Sequence, residues 1–109
     1  MSVANTILQQ MGGNRFIVMT GSHHFVSDGN TLIMQLARNA SKANRLYITL
    51  DPVTDLYTMR FFRFTEGRLN RQTFERAPDK ITEIKLYEDV FADQLENLFT
   101  HVTGLYTSL

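Results

Sequence analysis

The side chains that could support chemistry here are three histidines, a few spaced carboxylates, and a group of arginines interleaved with phenylalanines. His23 and His24 are adjacent, so in a strand they point to opposite faces and are poorly placed to chelate one metal. His101 stands far from both in the sequence. The chain has no cysteine, which excludes disulfides, thiolate metal sites and thiol catalysis. We predict no metal site and no cofactor.

The serines, threonines and acids form no recognisable catalytic arrangement. No serine lies in a nucleophile-elbow pattern, and Asp28 falls in the turn sequence SDGN, where it favours the backbone geometry of a tight turn. Asp89, Asp93 and Glu96 share the spacing of one helical face, but acids at a helix start also match the helix dipole. We therefore predict no catalytic residue and no enzymatic activity.

The remaining candidate is a binding surface that begins in the stretch RLYITLDPVTDLYTMRFFRF, residues 45–64. This stretch predicts two strands joined by a short turn. Alternation puts Arg60, Phe62 and Phe64 on one face of the second strand and Arg63 on the opposite face. Further arginines follow in a charged loop. The residues predicted to bind a protein or a nucleic acid are Arg60, Phe62, Arg63, Arg68, Arg71 and Arg76.

Two interpretations of this pattern remain open. Arginines and phenylalanines on an open sheet suit single-stranded nucleic acid, because rings stack on bases and cations neutralise phosphates. Alternatively, Phe62 and Phe64 belong to a core and Arg60 pairs with an acid on a neighbouring strand. The formal net charge of zero weighs against nucleic acid, since domains that bind it are usually strongly basic.

Charge is nevertheless distributed unevenly along the chain. Between Arg38 and Arg76 there are eight basic residues against four acids, and after Arg76 there are two lysines against six acids. Either the two parts lie side by side and neutralise each other, or the basic part faces an anionic partner.

The pattern of helices and strands around these residues predicts one α+β domain covering residues 1–109. Hydrophobic periodicity predicts an antiparallel sheet of four to five strands, with a C-terminal helix packed on one face and a short N-terminal helix. Connections between the strands are too short for helical crossovers, which favours antiparallel neighbours. The predicted helices are residues 2–11 and 88–104, and the predicted strands are residues 14–20 continuing into 23–26, then 31–36, 45–50, 56–64 and 81–87.

Local signals define several of these boundaries. Ser2 is a candidate cap for the first helix, and Gly12-Gly13 is expected to stop it. This glycine pair precedes a predicted strand, which is the wrong order for a phosphate-binding loop. The last helix is predicted from a continuous apolar stripe formed by Val90, Phe91, Leu95, Leu98, Phe99 and Val102.

The charged segment 65–80 predicts a long irregular loop, which in a small domain is either functional or poorly ordered. Leu69 and Phe74 are expected to hold this loop against the body of the domain. The alternating segment 81–87 that follows predicts a half-buried strand.

The N-terminal sequence MSVANTILQQM lacks the basic start and long apolar run of an export signal. The longest wholly apolar runs have four residues, far short of a membrane span. These features predict a cytoplasmic protein with no membrane partner.

The strings GGNRFIVMTG, DGNTLIMQLARNASKANRLYITL, DLYTMRFF and FTHVTGLYTSL resemble a family of short proteins carried by bacteriophages and integrative mobile elements. The resemblance extends from Ile7 to Leu109. It is one of overall sequence rather than of a catalytic motif, so it carries no site residues. It implies a bacterial host cytoplasm and a small accessory gene, and by analogy with other phage accessory proteins it implies action by binding.

Three functions follow as predictions. The first is a non-enzymatic accessory protein that binds a host or phage protein, for instance as an inhibitor of host defence, and that forms a homo-oligomer because an open sheet edge can pair with a second copy. The second is a single-stranded nucleic-acid-binding protein that uses the Arg/Phe face. The third is a small ligand-binding protein or enzyme with His23, His24 and Asp28 near a pocket.

Overall fold

A computed structural model describes residues 3–107 of the chain and confirms the α+β prediction. Five strands form one antiparallel sheet in the sequential order β1-β2-β3-β4-β5. The strands are β1 His23–Asp28, β2 Thr31–Gln35, β3 Arg45–Leu50, β4 Tyr57–Thr65 and β5 Lys80–Val90. The helices are α1 Val3–Met11, α2 Asn14–Thr20 and α3 Leu95–Thr103, the last preceded by a 3-10 turn at Ala92–Gln94. Ser2, predicted to cap α1, lies outside the described residues.

The sheet is a meander because each strand pairs with the next strand along the chain. Gly29 supplies the positive φ of 58° that the β1–β2 turn requires. Strand pairing aligns inward-facing residues in rows, so that Leu32 lies opposite Ile48, and Ile48 lies opposite Met59. Both edge strands are irregular: β1 has a bulge after His23, and β5 has two register shifts against β4.

The core lies between one face of the sheet and the helices α1 and α3. Their apolar stripes bury Ile7 and Phe99 completely. The Phe99 ring contacts Phe16 edge-on at 4.9 Å between centroids and lies 6.4 Å from the Phe61 ring on β4. This arrangement covers one sheet face, as the sequence predicts. None of the helices within residues 3–107 is long and apolar enough to cross a membrane.

The predicted strand at Asn14–Thr20 is wrong, because this segment is helix α2. Gly13 at φ 61° and Gly21 at φ 69° bound it, and both conformations are strained for other residues. As a helix it buries Phe16 and Thr20, four residues apart, while Val18 stays 80 % exposed. Packing of Phe16 on Phe99 therefore outweighs the strand preference of the β-branched residues. The glycine pair accordingly precedes a helix, and the predicted order at this point is also wrong.

The last helix begins later than predicted. Residues 88–90 extend β5, where Val90 pairs with Tyr57, and the helical turn starts only at Ala92. Phe91 has extended backbone angles, its amide donates to Gln94 Oε1 at 3.0 Å, and its ring is 58 % exposed. Phe91 therefore does not belong to the apolar stripe of α3.

The segment 65–80 is not a loop held against the body. Residues 66–79, which we call the arm, continue the β4–β5 hairpin outward, with Ala77 N bonded to Arg68 O at 2.9 Å. A Cβ at position 67 would collide with the Ala77 carbonyl oxygen, so Gly67 permits the close approach of the two sides. Leu69 and Phe74, expected to contact the core, are 57 % and 80 % exposed.

Strand β5 is longer and more exposed than the predicted half-buried strand. Among the described strands it is an edge strand that pairs with β4 alone, and Ile81 and Leu86 are 56 % and 49 % exposed. Its apolar residues on the face away from the helices thus lack the cover that the alternating pattern implied.

Phe99→Ala tests the one-sided core. We expect a loss of about 3–5 kcal/mol in the free energy of unfolding, because the ring is fully buried between two helices and the sheet. Phe91→Ala is the matched control, with an expected change within about 0.5 kcal/mol. Urea unfolding followed by circular dichroism measures both. Equal losses in the two variants would contradict the packing.

Tyr57 links β4 to α1, and its ionisation makes the free energy of unfolding depend on pH in the alkaline range. Its hydroxyl donates to Gln10 Oε1 at 2.5 Å. Burial raises the pKa of Tyr57 above its ordinary value of 10.0, and the Asp55 carboxylate acts in the same direction. The folded state therefore holds the phenolic proton more tightly than the unfolded state does. The stability that this gives is complete below pH 10.0 and is lost as pH rises through the raised value.

In Tyr57→Phe we expect the free energy of unfolding to vary less between about pH 8 and about pH 11 than in the wild type. Urea midpoints across that range measure the difference. Parallel pH profiles for the two proteins would show that Tyr57 is not the group responsible.

Candidate functional site

The face of the sheet away from the helices, which we call the open face, carries the first part of the predicted binding set. Strand register places one row of side chains across it. The row contains Val26, Ile33, Tyr47, Arg60 and Leu86, each opposite its neighbour on the next strand. A second row brings Arg45, Phe62 and Glu83 together.

Arg60 and Phe62 are in contact with each other and with both neighbouring strands. Arg60 Nε donates to both Glu83 carboxylate oxygens, at 3.0 and 2.9 Å. The Arg60 guanidinium also lies 4.6 Å from the centre of the Phe62 ring. On the other side, Tyr47 meets Phe62 edge-on at 5.0 Å. Phe62 is consequently only 4 % exposed, although none of the helices in the described part of the chain covers this face.

This geometry matches one part of the second interpretation, because Arg60 pairs with an acid on a neighbouring strand. The other part is wrong, since Phe62 and Phe64 lie outside the hydrophobic core cluster. The Phe62 ring is covered by its neighbours and is not free to stack on a base. Phe64 is half-buried, with the Arg45 guanidinium 5.4 Å from its ring centre. The cations of the open face are thus largely occupied by partners within the sheet.

Arg63 points to the opposite side of β4, as alternation predicts, and reaches the loop between β2 and β3. Its Nη1 donates to Lys42 O at 3.0 Å. There it lines, with Arg38 and Lys42, a concavity of about 720 Å³ that we call the basic hollow. The sequence alone did not indicate that these three cations meet, because they come from a loop and a strand about 20 residues apart.

The loop that forms the basic hollow is fixed by two asparagines. Asn39 Nδ2 donates to the carbonyl oxygens of Ala37 and Ala43, both at 2.8 Å. Asn44 accepts from Phe64 N at 2.7 Å and donates to Phe64 O at 2.8 Å. Two asparagines in a short polar loop are the sequence signal that could have indicated an ordered loop, because asparagine side chains commonly form hydrogen bonds with nearby backbone groups.

The arm carries the last three predicted residues, and they are not equivalent. Arg76 pairs with Glu66 at 2.6 Å and with Asp79 at 3.5 Å across the base of the arm. Arg68 and Arg71 are exposed, and neither belongs to an ion pair within residues 3–107. The arm therefore presents two uncommitted cations near its tip.

The tip of the arm is an ordered turn that displays an aromatic ring. Asn70 stabilises this turn through two hydrogen bonds. Its backbone N donates to Glu75 O at 2.7 Å, and its side-chain Oδ1 accepts from Gln72 N at 2.9 Å. Phe74 N donates to Asn70 O at 2.7 Å. Phe74 has φ 59°, a conformation that is a genuine outlier for a bulky residue, and its ring is 80 % exposed. Sequence reasoning missed this role because it assumed that a phenylalanine packs inward.

The histidines and acids do not come together into a site. The bulge after His23 and the positive φ of His24 bring these two rings to 4.8 Å, not to opposite faces as predicted. Within residues 3–107 no group of three or more histidines and acids is placed to hold a metal. Asp89 lies on β5, so the predicted helical set of Asp89, Asp93 and Glu96 is not formed.

The Arg60–Glu83 pair can be tested by a double-mutant cycle on the stability of the protein. We expect a coupling of about 0.5–1 kcal/mol, since the two side chains are partly exposed but aligned at two oxygens. The Arg76–Glu66 pair is the matched control; it is more exposed, so its coupling should be close to zero. A larger coupling at Arg76–Glu66 than at Arg60–Glu83 would contradict this account.

Comparison with known proteins adds no residue to these surfaces. No protein-family model, no curated protein and no solved structure matches the chain. The resemblance to phage and mobile-element proteins therefore stays a prediction. The function must be inferred from the geometry of the open face, the basic hollow and the arm.

Proposed function

We propose that this chain is a non-enzymatic protein-binding module whose main contact element is the tip of the arm. The observation that carries the proposal is Phe74, a phenylalanine 80 % exposed on an ordered turn. The partner that fits is a protein surface with an apolar pocket rimmed by carboxylates, because Arg68 and Arg71 lie on the same arm as the ring and have no ion-pair partner within residues 3–107.

The tip has the properties of a pre-organised binding anchor. Its turn is closed by backbone and Asn70 side-chain bonds, so little conformational freedom is lost when Phe74 enters a pocket. The left-handed backbone at Phe74 costs roughly 1–2 kcal/mol in the free protein. Such strain clusters at ligand-contact positions, where its cost is offset by function. Aromatic residues and arginines also dominate binding energy at protein interfaces.

Nucleic acid fits these surfaces less well. Stacking on single strands needs free rings beside free cations, and on the open face Phe62 is covered while Arg60 is paired with Glu83. The arm has a single exposed ring, and its three arginines are balanced in number by Glu66, Glu75 and Asp79. A protein partner is therefore the better match for the arm.

The resemblance to phage and mobile-element proteins supplies the setting of the proposal. In that setting the partner is a host or phage protein in the bacterial cytoplasm, and one form of the function is inhibition of a host defence complex. A homo-oligomer remains a prediction, and the bulges in β1 and β5 make simple edge-to-edge pairing an unfavourable route to it.

The experiment compares immobilised wild type with Phe74→Ala in extracts of the bacterium that carries the gene, followed by affinity measurement with the purified partner. We expect a partner retained by the wild type, and a loss in Phe74→Ala of about 2 kcal/mol, or roughly thirtyfold in Kd. Arg71→Ala should weaken binding less and mainly at low salt.

Val53→Ala is the matched control, because Val53 is 90 % exposed on the β3–β4 turn, away from the arm. It should bind the partner with wild-type affinity. A partner that binds Phe74→Ala as tightly as wild type would contradict the assignment of the tip. Tight binding of single-stranded oligonucleotides that is lost in an Arg60→Ala, Arg63→Ala double variant would favour the nucleic-acid alternative instead.

A further inference from the structure

We infer that the basic hollow is a binding site for small phosphate compounds, separate from the arm. Arg38, Lys42 and Arg63 line it, and none of the nine described residues that line it is acidic. The ion pairs found within residues 3–107 involve only Arg60 and Arg76 among the arginines and lysines, so these three cations have no carboxylate partner there. Three like charges around one concavity repel each other, and an anion relieves that repulsion.

The hydrogen bonds of the loop determine which kind of ligand fits. The backbone amides of residues 40–44 are already bonded, to Thr103 O, Asn39 Oδ1, Asn39 O, Ser41 Oγ and Phe62 O in chain order. The side-chain amide of Asn39 is likewise used within the loop. Residues 40–44 therefore offer a ligand no free backbone amide, and the charged donors of the hollow are the cationic side chains, which favour an acceptor with negative charge.

Arg63 is held in a position that leaves donors free. One of its terminal nitrogens is bonded to Lys42 O, which fixes the side chain over the loop. The rest of its planar guanidinium can still donate, and this fork suits the oxygens of a phosphate group. Lys42 adopts φ 66°, a backbone conformation unusual for lysine, so the loop defines the point from which this flexible side chain extends.

The size and lining of the basic hollow favour a compact anion. Its volume of about 720 Å³ lies within the range of small-molecule sites. The remaining described lining residues are a leucine, three alanines and two asparagines, with no aromatic ring among them to stack on a base. Recognition is thus by phosphate charge, and a di- or triphosphate matches three cations better than a single phosphate does.

The test is calorimetric titration of the full chain with inorganic pyrophosphate and with inorganic tripolyphosphate at constant ionic strength. We expect saturable binding of one anion per chain. Arg63→Gln, Arg38→Gln and Lys42→Asn should each weaken it by roughly fivefold or more. Asparagine is chosen at position 42 because it tolerates positive φ, so the loop keeps its conformation. Arg71→Gln, which removes an exposed arm cation, is the matched control and should bind like the wild type.

Two results would overturn the inference. One is the absence of saturable binding by wild type, and the other is an equal loss in Arg71→Gln and in the hollow variants, which would indicate diffuse charge attraction. Titration with ATP tests whether the nucleoside contributes to binding. Equal affinity for ATP and tripolyphosphate supports recognition of the phosphate chain alone. Much tighter binding of oligothymidylate than of tripolyphosphate, weakened also by Arg71→Gln, would replace the small-molecule site by a nucleic-acid track and overturn it.

Discussion

The contact of Phe99 with Phe16 and Phe61 is the constraint on which the rest of this structure depends. It joins α3, α2 and the sheet at one completely buried point. Because α1 and α3 both cover the core face of the sheet, no other helix in the described chain is left to cover the open face. The open face follows from a core built on a single side of the sheet, and the Arg60, Phe62 and Glu83 contacts lie on that face.

Periodicity predicted the parts of the fold in which local pattern and packing agree. Alternation in β2, β3 and β4 and the stripe of α3 were sufficient for the meander and its covering helix. The failures occurred where apolar composition was ambiguous. Residues 14–20 have the composition of a strand, but two glycines with positive φ and the position of Phe99 make them helical. Residues 88–91 have the composition of a helix start, but pairing of Val90 with Tyr57 keeps them extended.

For the predicted binding residues, the sequence indicated the strand face of Arg60 and of Arg63 but not the neighbours that these side chains contact. Alternation correctly separated Arg60 from Arg63, yet only strand register shows that Glu83 lies beside Arg60. Likewise, only the folded position of the β2–β3 loop shows that Arg63 forms a hydrogen bond with Lys42 O. Exposure of Phe74 depends on an unusual backbone angle, which no hydrophobicity pattern reports. The predicted set therefore divides into a braced open face, a basic hollow and an arm, each with different chemistry.

The bulges in β1 and β5 have a consequence for how this protein behaves when crowded. Cross-β fibres grow by adding strands to a straight ladder of unpaired backbone groups. Here the positive φ of His24 and Asp89 twists both margins of the sheet out of that geometry, and Lys85 adds charge to the longer margin. Both margins of a sheet with one uncovered face are thus unfavourable places for further strands to add.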